Sequence, residues 1–192
     1  MNLLLAGLAG GYPSDHPTGE ERAALDAIAT FRTSGNGYLI EQNTRPQTIG
    51  YALLDSPVAL AAWMLDHDTD AYYKMSSAFL EGKPSGNLTR DHILDNITTY
   101  WLTATGASAA RSYWENTQAA VRSAGEPRPE VSVPVGFTQF PGEIFPAPRS
   151  WVQKSYPTLS YYNQVGKGGH FAAWEVPELF ATEMREALRS LR

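Results

Sequence analysis

The stretch LSYYNQVGKGGHFAAWEVPELF, residues 159–180, decides the fold class of this chain of 192 residues. Its opening segment, LSYYNQV, is rich in tyrosine and ends in valine, which favours a β-strand. The glycine-rich segment GKGG then predicts a loop, and Pro177 predicts the start of a helix. Phe180, Met184, Leu188 and Leu191 follow in helical register. A strand, a loop and a helix in this order are typical of an α/β crossover.

A second strand is predicted upstream of this stretch. Residues 131–137, VSVPVGF, place valines and a phenylalanine at every second position. Pro134 lacks a backbone N–H, which argues against a fully hydrogen-bonded central strand. A short helix over residues 148–154 is expected to separate the two strands. The C-terminal region therefore belongs to the α/β class, and its two parallel strands would need neighbours that this sequence does not supply.

The preceding part of the chain is predicted to be mostly helical. A capping box of Thr18 and Glu21 predicts a helix over residues 19–33. Three further helices are expected, one beginning at Ser56-Pro57, one capped by Thr89 and one over residues 107–122. The helix after Thr89 is predicted to bury Ile93, Ile97, Tyr100, Trp101 and Ala104. Polar loops are expected at residues 66–70 and 83–87.

Composition excludes several classes of function. The formal net charge is −5 and no basic tract is present, so a nucleic-acid partner is not expected. The absence of cysteine excludes disulfides, thiolate metal sites and a cysteine nucleophile. The apolar start MNLLLAGLAGG predicts a buried strand over residues 1–10, because it is too short to span a bilayer and lacks a basic flank. We therefore expect no membrane segment and a soluble cytoplasmic protein. The sequence is compatible with a homo-oligomer as well as with a monomer.

Two candidate catalytic residues follow the predicted strands. Glu143 comes just after the first strand, and His170 ends the glycine loop after the second. If the strands are adjacent and parallel, both side chains lie at the same edge of the sheet. A carboxylate there would orient the imidazole and leave its other nitrogen to act as a general base. The alternative is a structural histidine and a solvated glutamate.

The remaining histidines are interpreted as surface residues. His16, His67 and His92 lie in polar segments or near a helix start. No pair of them has the spacing of metal ligands, so no metal site is predicted.

The chain resembles the microsomal-type epoxide hydrolases, which have the α/β-hydrolase fold. The resemblance is carried by GYLIEQNTRPQTIGYALLDSPVALAAW, ILDNITTYWLT and VPVGFTQFPGEIFPAPRSWVQKSYPTLSYYNQVGKGGHFAAWEVPELF, in this order. It implies a partial α/β-hydrolase fold with a mostly helical lid inserted before the last two core strands. Residues 1–10 would be a core strand, residues 11–122 the lid or cap, and residues 123–192 the C-terminal part of the core.

The resemblance also implies four site residues. His170 in GGHFAAWE matches the base that activates water, and Glu143 in FPGE matches the acid that orients it. Tyr38 in GNGYLIEQ and Tyr113 in ARSYWEN match two lid tyrosines that bind the epoxide oxygen. Without the resemblance, any of the ten tyrosines would be read as a core or interface residue. No cofactor and no metal are implied.

The implied reaction converts an epoxide to a vicinal diol. A carboxylate nucleophile opens the epoxide to form an ester, and water deprotonated by His170 hydrolyses that ester. The lid is rich in tryptophan, tyrosine and leucine, so a small apolar or aromatic epoxide and water are the expected partners. Detoxification or catabolism of aromatic hydrocarbons would be the matching role.

The sequence departs from the family pattern at the nucleophile. No aspartate lies in a glycine-rich strand-to-helix turn, the oxyanion segment is missing, and Asp55 is interpreted as a helix-start residue. The chain therefore resembles the second half of such an enzyme. Three hypotheses follow, namely a fragment of a working epoxide hydrolase, a truncated non-catalytic remnant, and a module that binds a hydrophobic ligand without chemistry.

Overall fold

The computed structural model describes residues 15–65, 77–82, 86–124 and 130–189. The strand predicted at residues 1–10, the loop at 66–70, His67, Leu191 and part of the loop at 83–87 lie outside these ranges. The described residues form two compact units. The first unit consists of residues 15–33 and 130–189, and the second of residues 34–124 with the gaps stated above.

In chain order, a run of helices precedes two strands, which alternate with further helices. The helices are α1 (Gly19–Thr30), α2 (Gly37–Thr44), α3 (Pro46–Asp55), α4 (Pro57–Leu65), α5 (Arg90–Leu102), α6 (Gly106–Arg122), α7 (Arg149–Ser155), α8 (Ala172–Glu175) and α9 (Pro177–Ala187). The strands are β1 (Val135–Gln139) and β2 (Leu159–Gln164), and a π-helical turn, Phe31–Gly35, follows α1.

In the first unit, β1 and β2 pair in parallel, with α7 connecting them. The strand predicted over residues 131–137 is wrong at its start, because the ladder begins only at Val135. The hydroxyl of Thr158 donates to the carbonyls of Val131 and Val133, at 3.0 and 2.7 Å. These two carbonyls therefore bond to a side chain rather than to a neighbouring strand.

The capping box at the start of α1 is confirmed. The Glu21 backbone N–H donates to the Thr18 hydroxyl at 3.2 Å, and the Thr18 N–H donates to the Glu21 carboxylate at 2.8 Å. Ser150 in α7 also donates to Glu21, at 2.7 Å. Helix α1 thus lies in the same unit as the two strands, whereas the boundaries predicted for the lid and core stay a prediction.

Helix α9 begins at Pro177 as predicted, but its buried side chain is polar. Glu183 is 7% exposed, whereas Met184 and Leu188 are 48% and 44% exposed. The Glu183 carboxylate accepts hydrogen bonds from Thr138 at 3.0 Å, Tyr161 at 2.9 Å and Asn163 at 3.1 Å. Three donors from the strands therefore stabilise a carboxylate that an apolar pattern alone would not place inside.

The second unit is a cluster of helices whose predicted caps are confirmed. Ser56 accepts from the Ala59 N–H and Thr89 from the His92 N–H, both at 3.2 Å. Its core includes Leu53, Leu60, Ile93 and Ile97, which are all buried. A Cβ added at Gly106 would lie 2.9 Å from the Leu53 Cβ, so only glycine fits where α6 begins.

The prediction that Ala104 belongs to the buried stripe of helix α5 is wrong. Helix α5 ends at Leu102, and Ala104 lies beyond it, exposed and with a φ of 53°. Its N–H donates to the carbonyl of Trp101, which turns the chain toward α6. The helical spacing continued in the sequence, but the turn moves Ala104 off the buried face.

In the ranges that the structure describes, none of the helices combines the length and the apolar character needed to cross a bilayer.

Candidate active site

The loop after β1 presents Glu143 on a tight turn. The Glu143 N–H donates to the Phe140 carbonyl at 3.2 Å, which closes the turn FPGE. The Glu143 Oε1 atom accepts a hydrogen bond from the Ile144 N–H at 2.8 Å. The carboxylate is therefore oriented by its own loop.

The loop after β2 requires a glycine at its centre. Gly168 has a φ of +97°, and a Cβ there would lie 2.7 Å from Val176 Cγ2 and 2.8 Å from Phe140 Cδ1. The Gly168 carbonyl accepts from the Gly142 N–H at 3.0 Å. This backbone hydrogen bond joins the loop that carries Glu143 to the loop that carries His170.

The two loops bring His170 and Glu143 into direct contact. The Nδ1 atom of His170 lies 2.7 Å from the Oε1 atom of Glu143, and the two side chains are 27% and 30% exposed. A carboxylate only accepts, so the Nδ1–H donates. This arrangement fixes the ring tautomer and leaves the lone pair on Nε2.

A buried carboxylate supports the segment after His170. Glu175 is 6% exposed, and its Oε1 atom accepts from the Phe171 N–H at 3.1 Å. This bond closes the turn between His170 and α8. The turn holds the residue next to the imidazole in place.

A cavity of about 500 Å³ lies beside this pair in the first unit. Its lining includes Glu143, His170, Phe137, Phe140, Trp174 and Phe180. Aromatic side chains with a carboxylate and an imidazole among them are typical of a site for an apolar ligand that also carries out chemistry.

Tyr38 and Tyr113 lie together in the second unit. Their rings, on α2 and α6, are 6.2 Å apart between centroids and meet edge to face at 87°. The Thr117 hydroxyl donates to the Asn43 side-chain oxygen at 2.8 Å, which joins the same two helices. The structure therefore pairs two phenols that are 75 positions apart in the sequence.

Burial affects one of these phenols. It raises the pKa of Tyr113 above its usual value near 10, and Tyr100 raises it further. The shift favours the protonated phenol over the phenolate at alkaline pH.

Two of the other histidines, His16 and His92, lie in the described residues. His16 is exposed, and His92 at the start of α5 contacts the Asn87 carbonyl through Nδ1 at 2.9 Å. Among the residues that the structure describes, no group of three histidines and carboxylates could hold a metal ion.

The interpretation of Asp55 as a helix-start residue is wrong. Asp55 is the last residue of α3 and is exposed, and the next helix is capped by Ser56. An aspartate on a strand-to-helix turn is not found in the described ranges, which contain Asp15, Asp26, Asp55, Asp91 and Asp95.

Sequence reasoning missed four polar residues of the first unit. These are Gln139, Tyr162, Glu175 and Glu183. Gln139 and Tyr162 lie on strand positions that favour a packing role, and Glu175 and Glu183 resemble surface residues of short helices. Their partners lie across the fold, so no local pattern identifies them.

Comparison with known proteins assigns the family. The chain is 44% identical to the "Putative epoxide hydrolase" of Stigmatella aurantiaca, a match that covers 100% of the chain and 43% of that protein. It is 38% identical to epoxide hydrolase 1 of Sus scrofa, over 79% of the chain and 33% of that protein. No family model matches the chain.

A solved structure agrees with these relatives. The structure of Aspergillus niger epoxide hydrolase superposes with a TM-score of 0.70 at 29% identity, over 94% of this chain and 43% of that one. The chain belongs to the epoxide hydrolase family. It therefore has part of the α/β-hydrolase fold, in which the helices of the second unit are inserted in the sequence before β1 and β2.

The juvenile hormone epoxide hydrolase of Bombyx mori is a further structural match. It has a TM-score of 0.69 at 25% identity, over 98% of this chain and 46% of that one. The chain thus spans less than half the length of the relatives described above.

Proposed function

We propose that the protein hydrolyses an epoxide to a vicinal diol through an ester on the enzyme. The observation that carries the proposal is the 2.7 Å contact between His170 Nδ1 and Glu143 Oε1 at the carboxyl edge of two parallel strands. A carboxylate and an imidazole in this arrangement form a general base. The family of the chain supports the epoxide as the group that is opened.

His170 is proposed to activate water for the second step. Water gives a proton to Nε2 and attacks the carbonyl carbon of the ester, and the alkoxide of the diol leaves. The carboxylate of Glu143 stabilises the imidazolium that forms and keeps the ring in the reactive tautomer. The proton then passes from His170 to the departing alkoxide.

Tyr38 and Tyr113 are proposed to bind the epoxide oxygen in the first step. Backside attack on carbon turns that oxygen into an alkoxide, which is a poor leaving group unless it receives hydrogen bonds or a proton. Each phenol could contribute roughly 2–4 kcal/mol in the transition state, as single oxyanion donors do. The edge-to-face pairing of the two rings supports this role, because it places both phenols in one part of the second unit.

The ester route requires a carboxylate nucleophile that this sequence does not carry in a glycine-rich turn. That nucleophile would therefore be contributed by the gene product outside these residues. The aromatic lining of the cavity beside His170 favours an apolar epoxide.

Isotope labelling tests the proposal. The gene product that contains this chain is mixed in excess with an aryl epoxide in ¹⁸O-water for a single turnover. The first diol should contain no ¹⁸O, because its new oxygen comes from the enzyme carboxylate, and the label should enter the protein. A first diol that carries ¹⁸O would contradict the ester route, and an absence of diol would contradict the activity.

Binding of a hydrophobic ligand without chemistry is the second candidate. The absence of an aspartate in a glycine-rich turn of this sequence favours it. Under this alternative, the gene product binds the aryl epoxide reversibly, and the double variant Tyr38→Phe with Tyr113→Phe loses that affinity. Unchanged affinity in the double variant would contradict it.

A further inference from the structure

Gln139 connects the two ends of the loop that carries Glu143. It is the last residue of β1, and its side-chain Nε2 donates to the Phe140 carbonyl at 2.8 Å. Its side-chain Oε1 accepts from the Ala147 N–H at 2.7 Å. One amide therefore uses both its donor and its acceptor to close the loop of residues 140–147.

The hydrogen bond to Phe140 acts directly on the turn of Glu143. The Phe140 carbonyl accepts from the Glu143 N–H at 3.2 Å and also from Gln139. Two donors on one carbonyl fix its direction. The backbone of Glu143 is thus two hydrogen bonds away from the Gln139 side chain.

The far end of the loop is held at both backbone polar groups of Ala147. The Ala147 carbonyl accepts from the Tyr162 hydroxyl at 3.0 Å, while Gln139 accepts from its N–H. Burial raises the pKa of Tyr162, which favours the protonated phenol that donates this bond. Phe145 also packs edge to face on Phe31, with ring centroids 4.8 Å apart.

The strand end itself is fixed by backbone bonds. The Gln139 carbonyl accepts from the Val165 N–H at 3.1 Å, and Gln139 and Gln164 are register partners. The side chain of Gln139 therefore projects from a rigid position. A change in this side chain should move the loop and not the strand.

We propose that Gln139 is a positioning residue that sets the geometry of the Glu143–His170 pair by closing the loop of residues 140–147. The inference deepens the proposed function, because it takes that pair as the acid–base pair of the reaction. Gln139 acts through Phe140 and Ala147, and it needs no contact with substrate.

The ring tautomer of His170 tests the inference in the 192-residue chain itself. Long-range ¹H–¹⁵N spectra of ¹⁵N-histidine protein report which ring nitrogen carries the proton. The chain has four histidines, and loss of one signal set in His170→Ala assigns the relevant one. Glu143→Gln provides the spectrum expected when the carboxylate no longer holds the ring.

Gln139→Ala removes both hydrogen bonds and should shift the His170 tautomer ratio toward that of Glu143→Gln. Gln139→Glu has nearly the same volume and keeps the acceptor for Ala147, but its carboxylate cannot donate to Phe140. It should give an intermediate ratio. Gln153→Ala, at an exposed position of α7, is the control and should keep the wild-type ratio.

A wild-type tautomer ratio in Gln139→Glu with a wild-type melting curve would overturn the inference, even if Gln139→Ala fails to fold. The kinetic readout comes from the gene product, where Gln139→Ala should slow ester hydrolysis about tenfold to a hundredfold, as a misplacement near 1 Å can do. Failure of the proposed function would appear separately, as an absence of diol with the tautomer shift still present.

Discussion

The Nδ1 atom of His170 lies 2.7 Å from the Oε1 atom of Glu143, although 27 positions separate the two residues in the chain. A backbone hydrogen bond of 3.0 Å between Gly142 and Gly168 joins the two loops that carry these residues. The pair is therefore a product of two parallel strands that end at the same edge.

Glu143→Gln should slow ester hydrolysis more than ester formation in the gene product. The amide keeps the size of the side chain but removes the charge that stabilises the imidazolium, so the second step should fall by about a hundredfold or more. Rapid-quench measurement of a single turnover gives both rates. Glu178→Gln, exposed on α9, should leave them unchanged, and equal slowing of both steps in Glu143→Gln would count against the assignment.

Gly168→Ala should destabilise the loop that carries His170. The φ of +97° and the short distances to Val176 and Phe140 leave no room for a methyl group, so the free energy of unfolding should fall by about 1–3 kcal/mol. Urea denaturation measures this change. Gly166→Ala is the matched control, because a Cβ there meets nothing within 4 Å. Equal stability of the two variants would show that the conformation of Gly168 is not required.

Glu183→Ala should destabilise the first unit. Thr138, Tyr161 and Asn163 would each lose an acceptor, at a cost of about 2–4 kcal/mol in all. Met184→Ala, at a neighbouring position that is 48% exposed, should cost less than about 1 kcal/mol. The two free energies of unfolding are compared by urea denaturation, and a difference near zero would contradict the role assigned to Glu183.

Tyr113 should ionise at a higher pH than an ordinary tyrosine. Burial, followed by Tyr100, raises its pKa above the usual value near 10, so the folded state retains the proton where the unfolded state loses it. Its contribution to stability is therefore complete below about pH 10 and is lost as the pH rises through the folded-state pKa.

The difference between the ultraviolet titration curves of the wild-type protein and of Tyr113→Phe isolates the ionisation of Tyr113. The midpoint of the difference curve should lie above the usual value near 10. A midpoint at or below that value would contradict the desolvation of the Tyr113 phenol. Tyr51→Phe, which removes an exposed phenol of α3, is the control for the substitution itself.

Local signals in the sequence were sufficient for three capped helix starts. Thr18, Ser56 and Thr89 each bond to a backbone N–H three residues ahead, so the information lies within one turn of chain. The contact of Glu143 with His170 was also accessible, because parallel strands bring their carboxyl ends together. These predictions depend on short range or on topology alone.

The remaining features depend on partners distant in the sequence. Glu183 is buried because three donors reach it from two strands, and the start of β1 is set by the Thr158 hydroxyl. Gln139 supports the loop of Glu143 through Ala147, eight positions away. Spacing and composition contain no record of such pairings, so only the structure assigns them.

The most direct measurement of the central claim is the intact mass of the gene product carrying His170→Ala after incubation with an aryl epoxide. If His170 activates water against an ester, the variant forms the ester and cannot hydrolyse it, so its mass increases by that of one epoxide. Under the same conditions, wild-type protein returns to its original mass as diol accumulates. A His170→Ala protein that stays unmodified, or that releases diol at the wild-type rate, would contradict the account.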